Sequence, residues 1–305
     1  MVATESVLSH DQHALAAPAW YLPLPEVDVT LASGPDTLRF LQGQLSCNMQ
    51  KLSAEHALRG ALCNIKGRVI TDLMLVQNNS DILILNWHGT QSHMLTTLNK
   101  YRVFFKCTLE TAASALQVFG VGGTDSETLE QTLGLPMPQQ TDEVSRAGAL
   151  TVVRLASNTL ARYLVIVDKQ ADKEAIDRVR KLPQLPSACW QLADIRDGIV
   201  HVKPEQSEVY TPQLLNYDIN GTIDFKKGCY TGQEVVARMF YRAEAKRRLY
   251  HFSATDAAAL DQILSGMDTE DIVVQLALPD GSIEGLAVFP VAGAVQRAGV
   301  TPLEY

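Results

Sequence analysis

The sequence predicts an α+β protein of three units, and three observations carry that prediction. Up to residue 112, strand-like apolar runs alternate with two stretches at helical spacing. Residues 113–245 read in the order β-α-β-β-α, which hints at a ferredoxin-like arrangement. Residues 246–305 offer only short strand candidates with a turn between two of them, as in a small β-barrel-like domain. At 305 residues the chain exceeds one typical core.

In the first unit, residues 1–112, Asp36 after Pro35 can open a helix whose Leu38, Leu41 and Leu45 share a face. Strands are expected around Ala61–Cys63, Val69–Val76 and Ile82–Leu85, with turns at Lys66-Gly67 and Asn78-Asn79-Ser80. Met94, Leu95, Leu98 and Tyr101 mark a second helix, and a strand is expected near Val103–Leu109. The second unit, residues 113–245, opens on a strand at Leu116–Val121 and a short helix near Glu127–Leu133. Gln139–Gly148, beyond Pro136 and Pro138, reads as an exposed loop. Strands at Thr151–Leu155 and Tyr163–Val167 precede a helix across Lys173–Arg180. Pro183 and Pro186 break the chain before a helix at Cys189–Asp197. In the third unit, residues 246–305, strands are expected at Leu249–Phe252, Ile272–Leu276, Ile283–Phe289 and Ala294–Val300, with a turn at Pro279-Asp280-Gly281.

Composition excludes several classes. The chain is 46% hydrophobic and 20% charged, which is ordinary for a globular protein. No apolar run approaches the roughly 18 residues a membrane span needs. Glu5, His10 and Asp11 interrupt the start of the chain, where a signal peptide would need a basic and then an apolar region. Five cysteines with no regular spacing match neither a disulfide framework nor a CxxC metal site, and a reducing cytoplasm fits them best. The histidines are scattered, His10 and His13 included, and suggest no metal site. Gly120–Gly123 lacks the spacing of a dinucleotide loop. The net charge is −8, yet Lys226 to Arg248 holds seven Lys or Arg against two Glu, a local +5 that leaves −13 elsewhere. Such an island is either a solvated charged face or a contact for one anionic ligand or a local stretch of RNA.

The run Lys226-Lys227-Gly228-Cys229-Tyr230-Thr231-Gly232-Gln233-Glu234 is the most informative. Thr231 and Glu234 have the spacing of a capping box, and Val235-Val236-Ala237 follow as packing residues. Cys229 would then stand just outside a helix N-terminus, where backbone N–H groups and two lysines favour a thiolate. The alternative is a capped helix with an incidental cysteine.

The segment from Lys227 to Glu234 resembles the signature of the folate-binding YgfZ family, which is related to the aminomethyltransferase T-protein of glycine cleavage. Pro212–Asn216, Ala237-Arg238, Tyr241-Arg242, Lys246-Arg247, Arg39–Leu45 and Lys66-Gly67-Arg68 resemble it too. The resemblance implies a T-protein-like fold of mixed α+β units around a central folate pocket, with tetrahydrofolate or a derivative as cofactor. It implies Cys229 as the reactive thiol and Trp190 as a ring stacking on the pterin, although Trp190 could equally fill a core. Lys226, Lys227 and Arg238 would contact an anion such as the glutamate tail, and Gly228 and Gly232 would let the backbone approach the ligand. Asn64, Tyr230, Gln233 and Glu234 complete the implied binding set. Two departures stand out. A second family tryptophan falls near Val27, so its ring is lost or supplied by Trp20 or Tyr21. Where relatives carry two adjacent aspartates, one of them catalytic near folate N5, this chain has Thr71-Asp72. Asp72 is left as the candidate for orienting the pterin and moving a proton, or is merely a strand-edge carboxylate.

By that resemblance the chain is expected to be a cytoplasmic tetrahydrofolate-binding accessory protein. It would support assembly or repair of iron–sulfur clusters and thereby tRNA modification, through transient contact with iron–sulfur proteins or cluster carriers. One cysteine cannot hold a cluster, which needs about four ligands. The competing expectation is a folate-dependent one-carbon transferase or demethylase using Asp72. A third class, a direct tRNA-binding module on the Lys226–Arg248 island, is disfavoured by the acidic remainder.

Overall fold

Near-continuous apolar runs such as those in Val69–Asn78, Asp81–Trp87 and Ala161–Asp168 have no polar face, and the fold buries both sides of each. A computed structural model describes residues 14–112, 114–242 and 244–305. Glu5, His10, Asp11 and His13 lie outside the described residues.

The strands are β1 (Trp20–Pro23), β2 (Val27–Ser33), β3 (Leu58–Cys63), β4 (Val69–Asn78), β5 (Asp81–Trp87), β6 (Thr108–Thr111) and β7 (Leu116–Gly123). They continue as β8 (Val144–Ala147), β9 (Leu150–Arg154), β10 (Ala161–Asp168), β11 (Arg247–Ala254), β12 (Ile272–Ala277), β13 (Ile283–Pro290) and β14 (Val300–Thr301). The α-helices are α1 (Thr37–Gln42), α2 (Gln91–Arg102), α3 (Ser126–Leu133), α4 (Lys173–Val179), α5 (Ser187–Arg196), α6 (Gln233–Arg242) and α7 (Ala257–Ile263). Three antiparallel sheets result, in the orders β3-β4-β5-β2-β6, β1-β7-β10-β9-β8 and β12-β13-β11-β14.

The first sheet turns one face to α1 and α2, burying Phe40, Leu41, Met94 and Leu98 with Leu73, Leu75 and Ile84. Its other face, with Met74, Val76, Leu83 and Leu85, packs on Leu22, Val118, Leu164 and Ile166 of the second sheet. The far side of the second sheet is closed by α3 and α4 through Leu129, Leu133, Ala175 and Val179. The third sheet is open, and its Leu249, Leu286 and Val288 pack on Ile195 of α5 and on Val200 and Tyr217 of the segment that follows it. The α+β class therefore holds, with the terminal domain an open sheet in place of a closed barrel.

Several local expectations change. Trp20–Pro23 belongs to the second sheet although it precedes every strand of the first. The Val103–Leu109 strand begins only at Thr108, and Val103 and Phe104 are exposed. The Gln139–Gly148 loop contains β8, which pairs with β9. Ala294–Val300 is a short 3-10 turn followed by a two-residue strand.

Candidate functional site

Pro186 precedes the first turn of α5 with its φ already set, and Trp190 and Asp194 stand four residues apart on one face of that helix. Both line a central cavity of about 320 Å³ together with Trp87, His88, His201 and Lys203. A smaller neighbouring cavity of about 60 Å³ shares Trp87, Trp190 and His201 and is walled also by Asp72, Arg59 and Tyr217. The Gly120-Val121-Gly122 run owes its composition to the rings behind this wall. A Cβ at Gly120 would lie 2.5 Å from Trp190 Cζ3, and one at Gly122 equally close to Trp20 Cζ2.

A chain of charges frames the cavity. Asp72, buried on β4, accepts from His201 Nδ1 at 2.8 Å and from the Val202 N–H at 2.8 Å. The His201 ring lies flat on Trp87, with centroids 4.0 Å apart and planes 10° from parallel. Asp194 Oδ2 is 3.8 Å from His201 Nε2. Arg162, fully buried, donates to Asp194 at 2.7 Å and to Asp197 at 2.6 Å, and sits 4.8 Å over the Trp190 ring. Burial alone would disfavour a charged His201, but Asp72 and Asp194 outweigh it and the imidazole pKa is raised. His88 moves the other way, lowered by burial and by its cationic neighbours His201 and Lys203. Thr71 supplies no second carboxylate. Its hydroxyl bonds to Thr90 Oγ1 at 2.8 Å and accepts from Asn86.

Of the sequence candidates, Trp190 lines both cavities and Asp72 only the smaller one, and the rest line neither. Trp20 and Tyr21 do not replace the ring missing at Val27. Trp20 is buried edge-on behind Trp190 with its Nε1–H on the Leu15 carbonyl, and the Tyr21 hydroxyl bonds to Gln184. The neighbouring strand does place a ring at the cavity, since Val27 pairs with Trp87 in the β2–β5 ladder and Trp87 lines both cavities. Sequence reasoning missed Trp87, His201, Asp194 and Arg162. The alternation Val200-His201-Val202 is the one local signal that could have flagged the histidine.

The Lys226–Glu234 run lies at a separate place, on the loop into α6. Lys227 is no free anion contact. Its Nζ donates to the Gln42 carbonyl at 2.6 Å and to the Leu45 carbonyl, and burial lowers its pKa to about 8. The capping box does not form. Thr231 Oγ1 bonds to Gln44, and α6 starts at Gln233, whose Oε1 accepts the Tyr230 N–H at 3.1 Å. Gly232, at φ +82°, lies so close to the Asn64 carbonyl that any Cβ would collide with it, so its freedom serves packing on the β3–β4 turn. Asn64 itself builds that turn, its Oδ1 accepting from the N–H groups of Lys66 and Arg68. Tyr230 is buried under the Lys227 ammonium, while Glu234 and Arg238 are exposed on α6 and Lys226 and Gly228 on the loop before it. Cys229 is exposed, whereas the other four cysteines are buried, Cys47 and Cys63 with pKa pushed up to about 12 by that burial. The β3–β4 hairpin joins the two places, carrying Asp72 at the cavity and Asn64 against Gly232.

Among the described residues no group of three or more His, Cys, Asp or Glu is placed to hold a metal ion. No described helix is long and apolar enough to cross a membrane.

The sequence and the fold have counterparts among known proteins. The chain is 33% identical over 231 residues to the tRNA-modifying protein YgfZ of Colwellia psychrerythraea, covering 76% of this chain and 70% of that one. It is 26% identical over 309 residues to the protein of the same name from Escherichia fergusonii, covering 94% of each. Among solved structures it is similar to the glycine cleavage system aminomethyltransferase T of Bartonella henselae, with a TM-score of 0.71 and 13% identity over 94% of this chain and 82% of that one. No family model matches the sequence.

Proposed function

Since the chain belongs to the YgfZ family of tRNA-modifying proteins, we propose that its central cavity binds a reduced folate and that its exposed thiol supports iron–sulfur cluster assembly or repair for tRNA modification. The observation that carries the folate reading is the wall of the cavity: a flat Trp87–His201 stack, the Trp190 ring and Asp194, with Asp72 lining the smaller cavity that adjoins it. Flat rings suit a pterin face, and carboxylates suit the N–H groups along its edge. The buried Nε1 atoms of Trp87 and Trp190 lack hydrogen-bond partners, so the wall holds two polar donors that a heterocycle with acceptor atoms would satisfy. About 320 Å³ falls within the range of small-molecule sites. The residues therefore fit the group.

A bound tetrahydrofolate would supply a nucleophilic N5 able to carry a one-carbon unit. The protein's own contribution would be to orient that ring and hold a proton nearby on the Asp72–His201 pair, 2.8 Å apart. Thr71, engaged with Thr90 and Asn86, leaves Asp72 without a carboxylate neighbour on its strand, which favours binding over turnover. Cys229 stands outside the cavity and would offer a cluster at most one ligand, the others coming from a partner.

The three tryptophans give a direct test. Tetrahydrofolate should quench the intrinsic fluorescence saturably, and the quenching should survive in Trp20→Phe but fall in Trp87→Phe and in Trp190→Phe. Quenching that persists in both cavity variants would place the ligand elsewhere.

A further inference from the structure

The face of α6 beside Cys229 has no role in the cavity, and the structure sharpens its charge. Of the seven basic residues from Lys226 to Arg248, three are engaged: Lys227 with carbonyls, Arg247 with Asp271 at 2.5 Å, and Arg248 with both oxygens of Asp218 at 2.9 Å. The side chains of Lys226, Arg238, Arg242 and Lys246 are exposed and make no ion pair with a described residue. Arg238 and Arg242 stand four apart on one stripe of α6, lining an open groove with Val235 and Met239. Glu234, in the same groove, and Glu244 are the acidic residues of this stretch.

Aromatic rings adjoin these cations. Phe225 and Phe240 stack with centroids 3.8 Å apart and planes 15° from parallel. Tyr241 meets both edge-on, at 5.9 and 5.0 Å. The platform is thus fixed by its own contacts, yet Tyr241 is 66% exposed. A large exposed ring on a rigid base, flanked by guanidinium groups that form no ion pair with a described residue, offers a face for stacking and charges for phosphates.

We infer that this face of α6 binds an unpaired stretch of RNA, its cations taking phosphates and Tyr241 taking a base. The inference rests on the reading that the chain serves tRNA modification. Charge complementarity selects the occupant: a polyanion is drawn to this face and repelled by the rest of a chain of net charge −8. The contact must therefore be short, and a single strand or loop, whose bases can be splayed onto a ring, fits it better than a duplex.

Fluorescence anisotropy with the full chain tests this, using a short single-stranded RNA, an unmodified tRNA transcript, an RNA duplex and poly-glutamate. The single strand and the tRNA should bind saturably at low salt. Tyr241→Ala should weaken both by about 5- to 100-fold. The pair Arg238→Gln with Arg242→Gln should reduce the slope of log affinity against log salt by about 1 to 2. Unchanged folate binding and unfolding temperature would show that the variants fold. Absence of saturable RNA binding, equal affinity for duplex, wild-type binding by Tyr241→Ala, or poly-glutamate binding as tight as RNA would each overturn the inference, the last in favour of an acidic protein partner. In cells lacking the gene, restored tRNA modification by a wild-type chain that binds no RNA would overturn this inference and leave the proposed function standing. RNA binding without restoration would support it and remove the proposed role.

Discussion

Arg162 brings a full positive charge into the core, and Asp194 and Asp197 are what make that tolerable. Arg162→Met should therefore destabilise the protein by about 3–5 kcal/mol, because two buried carboxylates lose their partner. Chemical denaturation measures this, and a loss below about 1 kcal/mol would mean that the carboxylates are solvated or protonated. His201 gives a pH dependence with a definite sign. Its folded pKa lies above the ordinary 6.5, so its contribution to stability is complete below 6.5 and is lost as pH rises through the folded value. The stability advantage of wild type over His201→Gln should accordingly shrink as pH rises above about 6.5. An advantage that grew with pH would mean that the neutral imidazole is the favoured form. Because Asp72 and Asp194 sit on different elements, either Asn variant should weaken the effect.

At the scale of elements, the loop into α6 is held by contacts distant in sequence. Thr231 binds Gln44, Lys227 binds the end of α1, and Gly232 rests on the β3–β4 turn. Gly232→Ala combines positive φ with a collision and should cost about 2 kcal/mol or more, read as a lower unfolding temperature. An unchanged temperature would mean that the turn yields without cost. These contacts also explain what the sequence did and did not disclose. Strands β4, β5 and β10 were legible because apolar runs signal burial on both faces, but that same burial removes the alternation that would have shown where Asp72 points. The Thr231/Glu234 spacing suggested a helix start one residue early, since a capping box cannot reveal that its threonine is needed by Gln44. β1 went unread because four residues are too few to show a period, and their partner strand begins at Leu116.

At the scale of the whole molecule, the site exists because three segments converge: the middle of β4 with the end of β5, the buried face of α5, and the Ile199–Val202 stretch that follows it. His201 and Asp72 are 129 residues apart, which is why neither local pattern nor spacing could join them. The signature loop was fully legible as a motif, yet its place is a surface beside the cavity and not the cavity wall. The β3–β4 hairpin spans the two, with Asp72 at the smaller cavity and Asn64 of its turn against Gly232. On the proposed function, the cavity binds the folate independently of the thiol. Anaerobic calorimetric titration with tetrahydrofolate tests it most directly, comparing wild type, Trp87→Ala and Cys229→Ser. Saturable binding in wild type and Cys229→Ser, weakened about 5-fold or more in Trp87→Ala, is the predicted result. Loss of binding in Cys229→Ser with Trp87→Ala unaffected would contradict it, and would move the ligand to the α6 loop.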